Sequence, residues 1–81
     1  MEVTVRYFAG LREAAGSTRE THRLPDGGTV ALLRETLEQE RPVLVPLLGS
    51  AAVAVNQRIA RSEQILAEGD EVAFLPPVSG G

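Results

Sequence analysis

One segment of this 81-residue chain, Thr29 to Glu40, has the periodicity of an amphipathic helix, and most of the rest reads as short strand or turn. Val30, Leu33 and Leu37 recur at helical intervals with Leu32 alongside, while Arg34, Glu35, Glu38 and Gln39 are expected to face out. The Thr29 hydroxyl is placed to cap the first free N–H groups. Arg41 precedes Pro42 and is pushed out of the helical region, so the helix stops near Glu40. A single helix with one apolar stripe must lay it against another layer, and here that layer can only be a sheet.

The strands follow from alternation. Glu2 to Phe8 places Val3, Val5 and Tyr7 on one face and Thr4, Arg6 and Phe8 on the other. Gly10 to Ala15 predicts a short helix that buries Leu11 with Ala14 or Ala15 and is stopped by Gly16. Arg19 to Leu24 is a polar strand suited to a sheet edge, and Pro25-Asp26-Gly27-Gly28 is a turn. Pro42 to Leu48 reads as an apolar loop over one end of the core. Ala51 to Val55 is a strand, Asn56-Gln57 a turn and Arg58 to Ala60 a short return strand. The turn Ala67-Glu68-Gly69-Asp70 introduces the last strand, Glu71 to Leu75.

The order ββαβββ, with a small helix after the first strand, is an α+β layer pair. The hydrophobic first and last strands belong at the sheet centre and the polar second strand outside. That arrangement is the ubiquitin-like β-grasp: a mixed sheet of about five strands with one main helix packed on one face and a short extra helix. Residues 1–75 are expected to form the β-grasp domain, with 76–81 an extended tail of the same single domain.

Composition removes several functions. The chain has no Cys, so it offers no disulfide framework, thiol nucleophile or persulfide, and no metal site is expected. Its eight basic residues are all Arg, form no stripe with aromatics, and leave a net charge of −3, which argues against nucleic acid. No secretory signal is present, and the apolar run Val43 to Leu48 is too short to span a bilayer, so a cytoplasmic protein without membrane contact is expected. His22, the only His, is expected in the edge strand without a nearby carboxylate and thiol, and is assigned no role. Arg58 with Arg61, and the acidic Glu63, Glu68, Asp70 and Glu71, read as solvated surface, with electrostatic matching to a basic partner as the functional option.

The chain ends Pro76-Pro77-Val78-Ser79-Gly80-Gly81. The two prolines end the strand and stiffen the exit, and six residues reach at most about 20 Å. Without Cβ atoms, Gly80 and Gly81 let another protein's backbone approach closely, so a terminal carboxylate could be threaded into a narrow active site. That carboxylate is a poor electrophile at neutral pH and must be activated to react. With no Lys on the chain, an activated carbonyl at Gly81 meets no side-chain amine of its own. No phosphate-binding glycine motif with Lys exists, so the chain is expected to bind no cofactor, and any ATP is bound by an activating partner.

Three segments carry a resemblance over the whole chain: Phe8-Ala9-Gly10-Leu11-Arg12-Glu13, then Ala54-Val55-Asn56-Gln57, then Gly69 through Phe74-Leu75-Pro76-Pro77-Val78-Ser79-Gly80-Gly81. They are similar to the small subunit of molybdopterin synthase, a ubiquitin-like sulfur carrier. The thiamine sulfur carrier shares the middle segment but generally lacks the first and the paired prolines. Ser79 stands where Thr is common in the family, and Leu75 where a second aromatic often occurs. The resemblance implies that a ubiquitin-activating-enzyme-like adenylyltransferase uses ATP to make a Gly81 acyl-adenylate. A sulfur donor enzyme would convert it to a thiocarboxylate, and the tail, Pro76 to Gly81, would enter the large catalytic subunit, in a 2:2 heterotetramer, to give sulfur to cyclic pyranopterin monophosphate. On its own the chain would be no enzyme.

Alternation in the last strand turns Val72 and Phe74 to the core and Ala73 and Leu75 to the opposite face, where Phe8 is the natural companion of Leu75. Both are expected to contact the large subunit. A carrier for thiamine or tRNA thiolation, a protein modifier joined to Lys of targets, and a plain binding module are the alternatives.

Overall fold

Alternating apolar residues build the centre of the sheet in the computed structural model, which describes residues 1–77. β1 (Glu2–Tyr7) buries Val3, Val5 and Tyr7, and β5 (Glu71–Leu75) buries Val72 and Phe74. The two pair in parallel, Val5 opposite Val72 and Tyr7 opposite Phe74. β2 (Arg19–Arg23) lies antiparallel on the outer side of β1, and β3 (Ala52–Val55) lies antiparallel on the other side of β5. With β4 (Arg58–Ile59) beyond β3, the order is β2-β1-β5-β3-β4. β5 is therefore central, hydrogen-bonded on both edges. This is the ubiquitin-like β-grasp, with the apolar strands inside and the polar β2 at the edge.

One helix covers one face. α1 (Gly10–Ala15) follows β1, and α2 (Val30–Glu40) crosses the sheet with Val30, Leu33 and Leu37 buried. Each such side chain contributes about 1.5–3 kcal/mol when fully withdrawn from water. Thr29 Oγ1 accepts a hydrogen bond from Leu32 N at 3.1 Å, the expected cap. The next free N–H groups of α2 are taken by backbone: Val30 N by Gln64 O at 3.0 Å and Ala31 N by Ser62 O at 2.9 Å. Gly16 ends α1 at φ 74°, and its N–H donates to Arg12 O. Asn56 and Gln57 both take positive φ, 50° and 71°, the form that a two-residue hairpin between right-twisted strands requires.

Two expectations about this layer need correction. Pro42 to Leu48 is not a loop: Pro42–Leu44 forms a 3-10 turn and Val45–Leu48 a short helix, α3, burying Leu44 and Leu48. Pro42 and Pro46 stand in the first turns of these pieces, where a missing N–H costs nothing, so they start helix instead of breaking it. Arg34 does not point to solvent. It is partly buried, with Nη2 donating to Ala51 O at 3.3 Å and the guanidinium 5.8 Å from the Phe74 ring centre.

Candidate functional site

The sheet face away from α2 is the open one. On it stand Thr4 and Arg6 of β1, Ala73 and Leu75 of β5, and Ala54 of β3. Tyr7 is paired with Phe74, so the next residues, Phe8 and Leu75, leave the two central strands side by side. Both are half-buried. The Arg6 guanidinium lies 5.0 Å from the Phe8 ring centre, close enough for a cation–π contact that holds the ring over the open face. Ala9, at φ 52°, then turns the chain into α1. Leu75 is paired with Ala52, and Pro76, half-buried, and Pro77, exposed, come after it off the sheet. The expected tail residues Val78, Ser79, Gly80 and Gly81 lie outside the described residues.

A third apolar residue joins Phe8 and Leu75 on this face. Ile59 is paired with Ala54, which alternates outward between the buried Val53 and Val55, and Ile59 is 75% exposed. Sequence reasoning missed it, although a two-residue Asn56-Gln57 turn places residue 59 opposite residue 54 and so on the outward face. Phe8, Leu75 and Ile59, with Ala54 and Ala73 between, give an apolar strip across the open face. Beside it Glu71 pairs with Arg6 at 3.6 Å and Arg19 at 3.1 Å.

Glu71 shows how the acidic set is used. Asp70 Oδ2 accepts from Ala67 N at 2.8 Å, and Asp70 Oδ1 accepts from Asn56 Nδ2 at 2.9 Å. Asn56 Oδ1 accepts from Glu71 N at 3.0 Å. Glu68 accepts from Glu2 N at 2.9 Å, and Glu63 pairs with Arg61. Gly69, at φ 84°, makes the turn possible. Asn56 and the Gly69-Asp70 pair thus lock the start of β5. Glu68, Asp70 and Glu71 stand at the end of β5 opposite Pro76.

Behind Tyr7 lies a polar cluster that corrects the reading of His22. Its Nε2 is 3.0 Å from Glu20 Oε1 and its Nδ1 3.7 Å from Glu40 Oε1, so carboxylates stand on both sides. They meet only because β2 runs past the end of α2. Glu20 also accepts from the Tyr7 hydroxyl at 3.1 Å and pairs with Arg41. Burial alone would raise the Glu20 pKa, but the hydrogen bonds from Arg41, His22 and Tyr7 outweigh it and hold the carboxyl below its ordinary range. Burial, followed by the Glu20 charge, pushes the Tyr7 hydroxyl up, which keeps it a donor.

A group whose pKa is depressed by folding contributes stability above its unfolded value, about 4.3 for Glu, and loses it as pH falls through the folded value. Urea unfolding should therefore show stability dropping with acid below about pH 4.3. Glu20→Gln should lose about 1.5–3 kcal/mol at neutral pH, the range for a hydrogen bond to a charged group, and flatten that acid slope. An unchanged slope would remove Glu20 as its source.

Among the described residues, no group of three His, Asp or Glu is set to hold a metal ion, and no helix is long and apolar enough to cross a membrane.

The fold and its open face define a ubiquitin-like β-grasp protein whose central strand leads into the tail. The chain belongs to the ThiS family, which it matches over residues 5–81. It is 42% identical over 82 residues to the molybdopterin synthase sulfur carrier subunit of Mycobacterium tuberculosis, covering 100% of this chain and 99% of that protein. Among solved structures it resembles SAMP1, the small archaeal modifier protein 1 of Haloferax volcanii, with TM-score 0.89 and 30% identity over the whole of both chains. It also resembles a chain in the complex of subunits 1 and 2 of the molybdopterin-converting factor from Helicobacter pylori, with TM-score 0.74 and 29% identity over the whole of both chains.

Proposed function

We propose that the chain is the sulfur-carrier subunit of a molybdopterin synthase. The observation that carries this reading is the central β5, which is held on both edges and leads at Leu75 into a sequence ending Gly80-Gly81, in a chain alike over its full length to carrier subunits of that name. The Gly81 carboxylate attacks ATP bound by an activating partner, forming an acyl-adenylate and releasing pyrophosphate. The sulfur of a donor then attacks the acyl carbon and displaces AMP; hydrosulfide leaves a thiocarboxylate directly, whereas an enzyme persulfide leaves an acyl disulfide that a thiol reductant cleaves to the thiocarboxylate.

The large subunit docks on the Phe8, Ile59 and Leu75 strip and receives the tail, residues 76–81, in its own active site. There the thiocarboxylate sulfur bonds to a carbon of cyclic pyranopterin monophosphate, and water cleaves the resulting thioester at its acyl C–S bond, leaving the sulfur on the pterin and returning Gly81 to a carboxylate. This chain supplies reach, docking and the sulfur atom; the large subunit supplies the catalytic groups. A dithiolene holds two sulfurs and each tail carries one, so two charged carriers are consumed per product, which suits a 2:2 assembly.

The test is reconstitution with an activating enzyme, ATP, a sulfur donor and the large subunit. Intact mass should show sulfur replacing one oxygen at the C-terminus, and molybdopterin should form. Rescue of cells lacking their own small subunit, with little or no rescue of thiamine synthesis, separates this pathway from the thiamine carrier. The likeness to a small archaeal modifier supports a second reading, attachment of Gly81 to Lys of other proteins. Lys adducts in native cells, without thiocarboxylate, would favour it.

A further inference from the structure

Arg34 is an uneconomical way to hold a helix to a sheet. Its Nε is buried with no hydrogen-bond partner, whereas a Met or Leu would fill the space with no unpaired polar atom. The contacts that the guanidinium does make are specific. Nη2 donates to Ala51 O at 3.3 Å, and the planar group lies 5.8 Å from the centre of the Phe74 ring. Ala51 directly precedes Ala52, the residue of β3 paired with Leu75, and Phe74 directly precedes Leu75 on β5. One side chain from α2 therefore grips both strands at the last rung before Pro76.

We propose that Arg34 is a positioning residue for the tail: it fixes the Ala52–Leu75 rung so that the tail, from Pro76 onward, leaves the sheet in one direction. The inference rests on the sulfur-carrier reading. Arg34 touches no reacting atom and lies on the face opposite the docking strip, so it acts on the tail's aim and not on affinity. Misplacement of a reacting group by about 1 Å can cost as much as a hundredfold in rate.

The experiment compares the wild-type chain with Arg34→Met, which keeps the aliphatic stem and removes the fork, and Arg34→Lys, which keeps one donor without the planar stack. Arg34→Met is expected to keep or raise the thermal midpoint and to bind the large subunit within about twofold of wild type, while thiocarboxylated protein transfers sulfur in a single turnover about tenfold more slowly. Amide hydrogen exchange at Ala52 and Leu75 should quicken, with no change at Val3 or Val5, and Arg34→Lys should fall between. Wild-type transfer rate in Arg34→Met overturns the proposal, and so does loss of its fold, which would make Arg34 a stability residue only. A wild-type chain that never acquires sulfur sinks the carrier reading instead. In that case exchange decides for Arg34 alone, and unchanged exchange at Ala52 and Leu75 in Arg34→Met overturns its positioning role.

Discussion

Deleting Gly81 is expected to abolish sulfur loading and transfer while leaving the thermal midpoint where it was. Among the described residues the buried apolar core runs from Val3 to Phe74, and Gly81 has no side chain to add to it, so stability is expected to be unchanged. Removing Gly81 draws the carboxylate back by about 3.5 Å, beyond the tolerance of an active site that must place reacting atoms at near-contact distance. Gly80→Val asks a different question. It keeps the terminal carboxylate of Gly81 but adds a β-branched side chain where close passage through a partner is expected. Adenylation or transfer should fail although reach is intact. Differential scanning calorimetry and the reconstituted assay read the two requirements separately. Full activity in both variants would show the diglycine to be dispensable, and the carrier function would have to be abandoned.

Charging the apolar strip should be the next largest effect. Leu75→Glu places a carboxylate on the central strand of the face that Phe8, Ala54, Ala73, Leu75 and Ile59 share, and Ile59→Glu places one at its β4 end. Residues at such a centre commonly cost about 2 kcal/mol or more when lost, which is about thirtyfold in Kd. Phe8→Glu should cost a similar amount and also release the Arg6 guanidinium that stacks on the ring. Circular dichroism should show the fold unchanged in all three, because Ile59 is 75% exposed and Phe8 and Leu75 are only half-buried. Ile65→Glu is the matched control. Ile65 is 66% exposed but bridges Thr29 at the start of α2, away from the strip, so affinity for the large subunit should not change. Equal losses at Ile65 and Ile59 would mean that general hydrophobicity, not this face, drives association. Collapse of the fold in Leu75→Glu would mean that the face assignment is wrong.

Local rules account for the features that could be read from the residues in order. The period of two that buries Val3, Val5, Tyr7, Val72 and Phe74, and the helical spacing of Val30, Leu33 and Leu37, are properties of a few consecutive backbone units. The stop at Gly16, the Thr29 cap and the Asn56-Gln57 turn are equally local, because each depends only on which φ values and side-chain oxygens stand at one place. From these the β-grasp order and the pairing of β1 with β5 can be deduced. The chemistry of the diglycine was also open to reading, since it turns on the side chains that Gly80 and Gly81 lack.

Tertiary packing decided the rest, where a residue's role depends on partners remote in the chain. Pro42 and Pro46 resemble breakers until the core accepts Leu44 and Leu48, after which they sit at helix starts. Glu20, His22, Glu40 and Arg41 become one cluster only when β2 is laid along the end of α2. The local turn sets Ile59 opposite Ala54, but Ile59 becomes part of a surface only when β3 pairs with β5 and β5 with β1, bringing Leu75 and Phe8 to the same side. A charged residue at the edge of a helix stripe reads as solvent-facing, yet Arg34 turns in because Ala51 O and the Phe74 ring stand within reach of its long side chain. Sequence spacing determines which face a residue is on; only the assembled layers determine what that face meets.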